Sequence, residues 1–278
     1  MADAMYTGYC ELVFTDAEFE EIYATNKIKG YMFHENEYII AKNEAGEIVD
    51  KFKHKNGKLE RVHFKSLKNA YLGTVKPRNI QQEFVVDMLL DEDSKIKVVR
   101  GVYGSGKDYL MLSAALQLIE RGEFDKIIFV RPNVSVRGLP DIGALPGTAD
   151  EKLSWTLAPL YDKVGGEEGV AMMLNRKILE SVPLLFIRGR SFERSIIYVT
   201  EGQNMTTEIA KLVIGRIGEG SALWINADTH QTDKKIFDED NGVRKMIDKL
   251  KDNSLFGYVY MPKTERSSVA ELATLLDD

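Results

Sequence analysis

The sequence has little of several residue types that define common protein classes. It contains one cysteine, Cys10, so no disulfide can form within the chain. Its four histidines show no spacing typical of metal ligands, and we expect no structural zinc. No apolar run approaches the roughly 20 residues that a membrane-spanning helix needs, and the N-terminus lacks the basic and apolar regions of a signal peptide. These absences predict a soluble, cytoplasmic protein without a membrane partner.

A general excess of basic charge is missing too, except in one segment. The formal net charge is −6, which argues against bulk electrostatic adhesion to nucleic acid. Between Lys51 and Arg78, however, nine basic residues accompany a single acid, Glu60. The nine are Lys51, Lys53, Lys55, Lys58, Arg61, Lys65, Lys68, Lys76 and Arg78. Aromatic residues lie between them, so strands here would present a basic stripe that follows a single-stranded RNA or DNA backbone while rings stack on bases. A solubilising outer face that guards an edge strand is the alternative.

The pattern of apolar residues changes near residue 77. Before it, short alternating segments with turn signals such as Lys55-Asn56-Gly57 predict a small antiparallel β unit, with one helix over Asp16 to Asn26 capped by Thr15. From Ile80 onward, helical segments alternate with short apolar strands, which is typical of a parallel sheet covered by helices. The predicted strands are Ile96 to Val99, Ile127 to Val130, Leu184 to Ile187, Ile196 to Thr200, Ala222 to Asn226 and Tyr258 to Met261. We therefore expect an α/β fold, with a β-rich domain over residues 1–76 and a larger domain over residues 77–278.

A glycine-rich loop joins the first of these strands to an apolar helix. The loop is Gly101-Val102-Tyr103-Gly104-Ser105-Gly106-Lys107, and Asp108 and Tyr109 follow it. Glycines let consecutive backbone N–H groups wrap an anion at a helix N-terminus, and the lysine can reach the β and γ phosphates of a nucleotide. Because strand, loop and helix occur in the required order, the segment predicts a phosphate-binding loop. A chance glycine turn before a helix is the alternative.

Two positions near this loop depart from the usual pattern. The residue after Lys107 is usually Ser or Thr, whose hydroxyl binds Mg²⁺, but here it is Asp108. The strand Ser195 to Val199 should end in an acidic pair that holds the metal and polarises water, yet it ends in Thr200-Glu201. Carboxylate and hydroxyl thus look exchanged, which predicts Asp108, Thr200 and Glu201 as the groups around Mg²⁺. Independent decay of both positions, leaving a site without hydrolysis, is the alternative.

Short motifs follow one another from the phosphate loop onward. They are Gly101 to Lys107, Val130-Arg131-Pro132, Leu145-Pro146-Gly147, Glu151-Lys152, Arg188-Gly189-Arg190, Glu201-Gly202-Gln203-Asn204 and Arg216 to Ser221. In this order they resemble PhoH-like ATPases, over about residues 80–278. The resemblance implies a RecA-like P-loop NTPase core related to superfamily 1 helicases. It also implies ATP and Mg²⁺ as cofactors and single-stranded RNA or DNA as a partner.

The resemblance further implies roles for individual residues. Gln82 matches a glutamine that reads adenine, and Asp228 with Gln231 matches a sensor of the γ phosphate, although Ala227 replaces the usual glycine. Glu201 is the candidate for orienting or deprotonating the attacking water. The candidate arginine fingers are Arg188, Arg190, Arg216 and Arg266. Structural alternatives exist for three of these assignments: a solvated helix start for Gln82, an Asx turn at Asp228, and structural or surface roles for the arginines.

Chain length bears on assembly. Too few residues follow Met261 for the second core domain of a superfamily 1 motor, so we expect a homo-oligomeric ring, as a hexamer, in which a neighbour completes each nucleotide site. Longer family members have a segment that joins a PIN nuclease to this core, and two stretches here resemble it: Tyr6-Thr7-Gly8-Tyr9 and Lys76-Pro77-Arg78-Asn79. We nevertheless expect no nuclease centre in this chain. Two rival functions remain: a nucleotide-binding scaffold or regulator without hydrolysis, and a non-enzymatic nucleic-acid-binding protein that uses the basic unit alone.

Overall fold

The N-terminal unit is a small four-stranded sheet with one helix. The computed structural model describes residues 6–132, 157–228 and 239–265. Its first elements are β1 (Tyr9–Val13), α1 (Asp16–Thr25), β2 (Tyr38–Lys42), β3 (Ile48–Lys55) and β4 (Lys58–Arg61). Thr15 and Glu18 form a capping box at the start of α1, which confirms the predicted N-cap. The pairs β2–β3 and β3–β4 are antiparallel as predicted, while β1 pairs in parallel with β2 because α1 serves as their crossover.

A parallel sheet covered by helices forms the rest of the described chain. After the hairpin β5 (Leu67–Asn69) and β6 (Gly73–Val75) come α2 (Ile80–Leu90), β7 (Ile96–Gly101), α3 (Lys107–Glu120), β8 (Lys126–Val130), α4 (Gly166–Asn175), β9 (Leu179–Ser181), β10 (Ser195–Val199), α5 (Thr207–Ile214), β11 (Ala222–Asp228), α6 (Gly242–Leu250) and β12 (Phe256–Met261). The sheet order is β12-β7-β11-β10-β8-β9, with every pair parallel. The predicted α/β fold is therefore confirmed.

Helices cover both faces of this sheet. On one face, Phe84 of α2 and Leu110 of α3 pack into the same buried cluster as Trp224 of β11. On the other face, Val213 of α5 and Met246 of α6 pack with alternate strand residues. Burial of both faces explains why these strands are near-continuous apolar runs. Because all strands are parallel, their carboxyl ends meet at one edge, where polar side chains can converge.

One predicted strand is wrong, and one hairpin was not predicted. The apolar run from Leu184 to Ile187 contains a 3₁₀ helix, Leu184–Phe186, and the edge strand is β9 instead. Pro183 immediately precedes that helix, and proline has no N–H to donate to a strand ladder, so it ends the extended segment. The hairpin of β5 and β6 escaped notice because its strands are too short to show alternation.

The predicted open basic stripe is wrong for most of its members. Five of the nine basic residues form ion pairs within the chain, chiefly with carboxylates along α2. The pairs are Lys51 with Glu83, Lys53 and Lys55 with Asp91, Lys55 with Asp93, Arg61 with Asp50, and Lys65 with Asp87. The Lys53 side chain is only 4% exposed. Apart from the Arg61–Asp50 pair, which lies within the N-terminal sheet, these ion pairs join the N-terminal unit to α2 and its C-terminal end, and we call them the α2 junction.

Besides Lys53 and Lys55, a third lysine lies at the C-terminal end of α2. Lys97 of β7 is buried, and its Nζ donates hydrogen bonds to the carbonyl oxygens of Leu89 and Asp91 at 2.8 and 2.6 Å. It thereby satisfies carbonyl groups that the helix end leaves without intrahelical partners. Burial lowers the pKa of Lys97 to about 7. The lysines here support the fold, and their charge is not available to a partner.

No helix in the described ranges is both long enough and apolar enough to cross a lipid bilayer.

Candidate nucleotide-binding site

The glycine loop lies between the carboxyl end of β7 and the start of α3. Gly104 and Gly106 have φ values of 76° and 89°, a conformation that residues with a Cβ rarely adopt. At Gly101 a Cβ would lie 2.6 Å from the carbonyl oxygen of Met261 in the neighbouring strand. Gly106 is the N-cap of α3, a helix of 14 residues. The free N–H groups at the start of this helix, together with its dipole, favour an anion.

Lys107 lies folded over this loop. Its Nζ donates hydrogen bonds to the carbonyl oxygens of Gly101 and Val102 at 2.7 and 2.8 Å, and it is 3.5 Å from Asp228 Oδ2. Burial lowers the pKa of Lys107, although the carboxylates of Asp228 and Asp108 oppose the shift. The ammonium group therefore lies at the centre of the loop, where it can exchange backbone carbonyls for phosphate oxygens.

Gln82 supports the loop from α2. Its Nε2 donates to the carbonyl oxygen of Ser105 at 3.0 Å, and its Oε1 accepts from the N–H of Arg78 at 2.8 Å. The residue is 4% exposed. Glu265 makes a second contact with the loop: its Oε1 accepts a hydrogen bond from Asn79 Nδ2 at 2.6 Å, and its backbone N–H donates to the carbonyl oxygen of Gly104. Gln82 is thus a loop contact in this structure, and its reading of adenine stays a prediction.

Asp108 is held by two strands of the sheet. Its Oδ1 accepts hydrogen bonds from the Tyr198 hydroxyl of β10, at 2.8 Å, and from Asn226 Nδ2 of β11. Within the described residues, Thr200 is not among its hydrogen-bond partners; the Thr200 N–H donates to the Val130 carbonyl instead. The direct Asp108–Thr200 hydrogen bond expected of an exchanged pair is therefore not formed. Tyr198 and Asn226 take that place, and a shared metal stays a prediction.

The strand that leads into the phosphate loop, β7, lies between β12 and β11, and β10 lies beyond β11. Asp228 pairs in register with Gly101, which places it next to the loop. Glu201, just after β10, has a φ of 54°, a left-handed conformation that costs energy in a residue with a Cβ. Gln203 links the two strand ends, since its Nε2 donates to Glu201 Oε2 at 2.6 Å and its Oε1 accepts from the Asp228 N–H at 2.8 Å.

These groups line one cleft of about 740 Å³. The predicted site residues in its wall are Gln82, Tyr103, Gly104, Ser105, Gly106, Lys107, Asp108, Tyr109, Glu201 and Asp228. Gln231 and Arg266 lie outside the described residues. Three predicted arginines are not in the described wall: Arg190 pairs with Glu180, Arg188 is exposed near Glu208, and Arg216 is part-buried elsewhere.

Sequence reasoning missed several residues of the cleft. Asn226 lies in the cleft wall, and Tyr198 is linked to it through the hydrogen bond to Asp108; a polar side chain near the carboxyl end of a buried parallel strand is the signal for both. Gln203 belongs to the Glu201-Gly202-Gln203-Asn204 motif, but the motif alone does not indicate that its amide links Glu201 to Asp228. Lys163 lies in no motif, yet its Nζ is 4.0 Å from Asp108 Oδ2.

Comparison with known proteins decides the family. The model of the family described as PhoH-like protein matches residues 74–274, which is most of the chain. The chain belongs to the PhoH-like family. Membership supports a P-loop NTPase-like protein, a class that binds nucleotide and usually uses Mg²⁺.

Similar PhoH-like proteins are longer than this chain. Protein PhoH2 of Bacillus subtilis is 32% identical over 292 residues, covering 98% of this chain and 64% of the relative. Protein PhoH2 of Mycolicibacterium smegmatis is 35% identical over 204 residues, covering 72% of this chain and 46% of the relative. The chain thus spans about half to two thirds of the length of these relatives. Among solved structures, Pif1 helicase from Candida albicans aligns at a TM-score of 0.35 and 11% identity, over 73% of this chain and 44% of the helicase.

Proposed function

We propose that this PhoH-like chain binds and hydrolyses ATP in the cleft at the phosphate loop. The observation that carries the proposal is Lys107, whose ammonium lies over a loop with two left-handed glycines at the N-terminus of α3. Carboxylates at the ends of β10 and β11 line the same cleft. A cation, free N–H groups and nearby carboxylates are the groups that phosphoryl transfer to water requires.

Each group has a distinct task in the proposed reaction. The loop N–H groups and Lys107 would hold the β and γ phosphates, and Glu201 would orient the attacking water and accept its proton. The hydrogen bond from Gln203 keeps the Glu201 carboxylate in one direction and links it to the end of β11. Asp228, with Gln231 beyond the described residues, would respond to the γ phosphate.

The donor set of the cleft fits Mg²⁺. Asp108 and Glu201 offer carboxylate oxygens, the hard ligands that this ion prefers, and both line the cleft. Thr200, next to Glu201 in sequence, would contribute a hydroxyl. When bound, the ion supplies charge neutralisation at the phosphate oxygens.

A nucleotide-binding scaffold without hydrolysis is the second candidate. Asp108 stands where a metal-binding hydroxyl is usual, and its Oδ1 is already engaged by Tyr198 and Asn226. If those contacts keep Asp108 from the metal, the cleft would bind nucleotide without turning it over. Phosphate release separates the two candidates, because both predict binding and only the first predicts turnover.

We further propose that the protein acts on single-stranded RNA, or alternatively DNA, as a ring-shaped motor, with a hexamer as the expected assembly. The α2 junction uses most of the basic stripe, so the contact would shift to an exposed part of the N-terminal unit. There Tyr31 stacks on Phe33 with ring centroids 6.1 Å apart, and Lys58 lies in the same shallow groove. The Tyr31 ring is exposed, while Phe33 is part-buried behind it; an exposed ring beside a lysine suits a stacked base and its phosphate. Arg188, exposed and outside the cleft wall, is available to a neighbouring subunit's nucleotide.

The experiment is steady-state phosphate release from Mg²⁺-ATP, with and without single-stranded RNA, together with molecular mass by light scattering. We expect release that RNA accelerates, loss of release in Lys107→Ala, and a hexameric mass. Tyr31→Ala should reduce the RNA effect and leave release without RNA unchanged. Binding without release would favour the scaffold, and a fully active monomer would contradict the ring.

A further inference from the structure

Lys163 is a second lysine of the cleft and belongs to no motif. It follows the helical residues 157–161, and its Nζ donates a hydrogen bond to the carbonyl oxygen of Pro159 at 2.5 Å. The same Nζ lies 4.0 Å from Asp108 Oδ2, and the side chain is 21% exposed. Lys163 and Lys107 line the same cleft. Its ammonium is therefore held near the start of α3 and remains accessible from the cleft.

Two pairs of oppositely charged groups lie beside the phosphate loop. Lys107 lies 3.5 Å from Asp228, and Lys163 lies 4.0 Å from Asp108. Asp108 is in the first turn of α3, where the free N–H groups would draw the phosphates. A carboxylate at that position repels a phosphate chain unless a cation is nearby. Lys163 is the cation that the fold places beside it.

The remaining hydrogen-bond capacity of the two groups is consistent with a ligand between them. An ammonium has three donors, and Lys163 uses one on Pro159. Asp108 uses Oδ1 for Tyr198 and Asn226, while Oδ2 is the oxygen nearest to Lys163. At 4.0 Å the two charges attract each other without forming a direct hydrogen bond. Among the described residues, the ammonium is thus attracted by Asp108 and still has donors for a third group.

We propose that Lys163 is a second phosphate-binding lysine, which contacts the β or γ phosphate of the bound nucleotide and offsets the charge of Asp108. The inference rests on the proposed nucleotide site. In this arrangement Lys107 and Lys163 hold the phosphate chain from two sides. A Ser or Thr in place of Asp108 would be neutral and would need no compensating cation. Asp108 is negative, and Lys163 supplies the positive charge that balances it.

The test is the affinity of Lys163→Met for ATP, ADP and AMP, measured by calorimetry in Mg²⁺. A lost charge-assisted hydrogen bond should weaken ATP binding by roughly tenfold or more, with a smaller loss for AMP. Lys163→Arg keeps the charge and should recover much of the affinity. The matched control is Lys211→Met, which removes the same charge from an exposed position on α5 outside the cleft wall and should bind as the parent does.

Repeating Lys163→Met in an Asp108→Asn variant distinguishes a lysine that contacts phosphate from one that only balances the charge of Asp108. In Asp108→Asn the carboxylate charge is gone, so a lysine that serves only Asp108 would have no further effect. Continued loss of ATP affinity on adding Lys163→Met would support phosphate contact, and no further loss would overturn it. Unchanged affinity in Lys163→Met alone would also overturn it. If the parent protein binds none of the nucleotides, the proposed function fails and this inference fails with it.

Discussion

Lysine and carboxylate side chains meet in two regions of this protein, the α2 junction and the cleft at the phosphate loop. In the α2 junction, Lys53 and Lys55 form ion pairs with Asp91, which is itself mostly buried. In the cleft, Lys107 and Lys163 lie 3.5 and 4.0 Å from their carboxylates and face a space of about 740 Å³. In the first region the Lys53 and Lys55 side chains are only 4% and 12% exposed, so their contacts with Asp91 leave little room for a partner. The second region faces open space, and Lys163 uses one of its three donors on a described residue.

The comparison teaches that a run of lysines does not by itself indicate a binding surface. The lysines from residue 51 to 65 looked like a nucleic-acid stripe because the sequence around them contains a single acid. Their partners come instead from Glu83, Asp87 and Asp91, which are spaced four residues apart and so share one side of α2 and its end. Charges supplied by a later helix turned a candidate interface into a structural contact.

The largest expected effect is in the cleft. Lys107→Ala should lower ATP affinity by roughly a hundredfold or more, because a charged contact to two phosphates is lost. Its midpoint of thermal unfolding should stay within about 2 °C of the parent, since the lysine contributes mainly a point charge over the loop. Calorimetric titration and a thermal melt measure the two quantities. An ATP affinity equal to the parent's would show that Lys107, like the lysines of the α2 junction, is not a ligand-binding group.

The next effect belongs to the α2 junction. Asp91→Asn should lower the free energy of unfolding by roughly 2–4 kcal/mol, because it leaves Lys53 buried without its counter-ion. Asp93, whose side chain is 73% exposed, gives the matched control: Asp93→Asn should cost about 0.5 kcal/mol or less. Denaturant titration measures both, and ATP affinity should not change in either variant. A large loss of affinity in Asp91→Asn would show that the two regions are coupled.

The pH dependence of the same pair has a definite sign. Burial raises the pKa of Asp91, but Lys53 and Lys55 outweigh it and hold that pKa well below its ordinary value. The pair therefore stabilises the fold above about pH 4, the ordinary range of the group, and the stabilisation is lost as the pH falls further. Asp91→Asn should flatten the fall in unfolding free energy below pH 4. If the unfolding free energy of Asp91→Asn falls below pH 4 as steeply as that of the parent, other carboxylates cause the fall.

Substitutions at Asp108 and Thr200 test whether this carboxylate and this hydroxyl act together. Asp108→Thr alone should reduce ATP hydrolysis, and Asp108→Thr with Thr200→Asp should recover part of it, with a coupling energy of about 1–3 kcal/mol in a double-mutant cycle. Tyr198 and Asn226 would still hold the restored hydroxyl near the loop. Additive effects in phosphate release would show that the two positions are independent.

The glycine loop and the sheet were predictable because their signals are local. Strand, loop and helix follow one another from Ile96 to Glu120, and the apolar runs in the sequence indicate which segments are buried. The partners of Asp108 were not predictable in this way, since Tyr198 and Asn226 are 90 and 118 residues away in the chain. Only the order of β7, β11 and β10 in the sheet brings them together. Lys163 has no motif, so its position depends entirely on the fold.

The smallest expected effect concerns Gln82. Its amide bonds the backbone of Ser105 in the loop and the backbone of Arg78 just before α2. Gln82→Ala should therefore weaken ATP and GTP by the same factor, roughly fivefold, which corresponds to one or two hydrogen bonds. Parallel titrations with the two nucleotides measure that ratio. A loss confined to ATP would instead establish the adenine-reading role that the family resemblance implies.

The most direct test of the central claim is a calorimetric titration of the parent protein with ATP and with adenosine, in Mg²⁺ and again in chelator. If the cleft recognises phosphate through its loop and two lysines, ATP should bind saturably at one site per chain, and adenosine should show no binding over the same concentrations. Binding should weaken in chelator, because the carboxylates then repel the phosphates without a metal between them. Absence of saturable ATP binding, or equal binding of adenosine, would contradict the account.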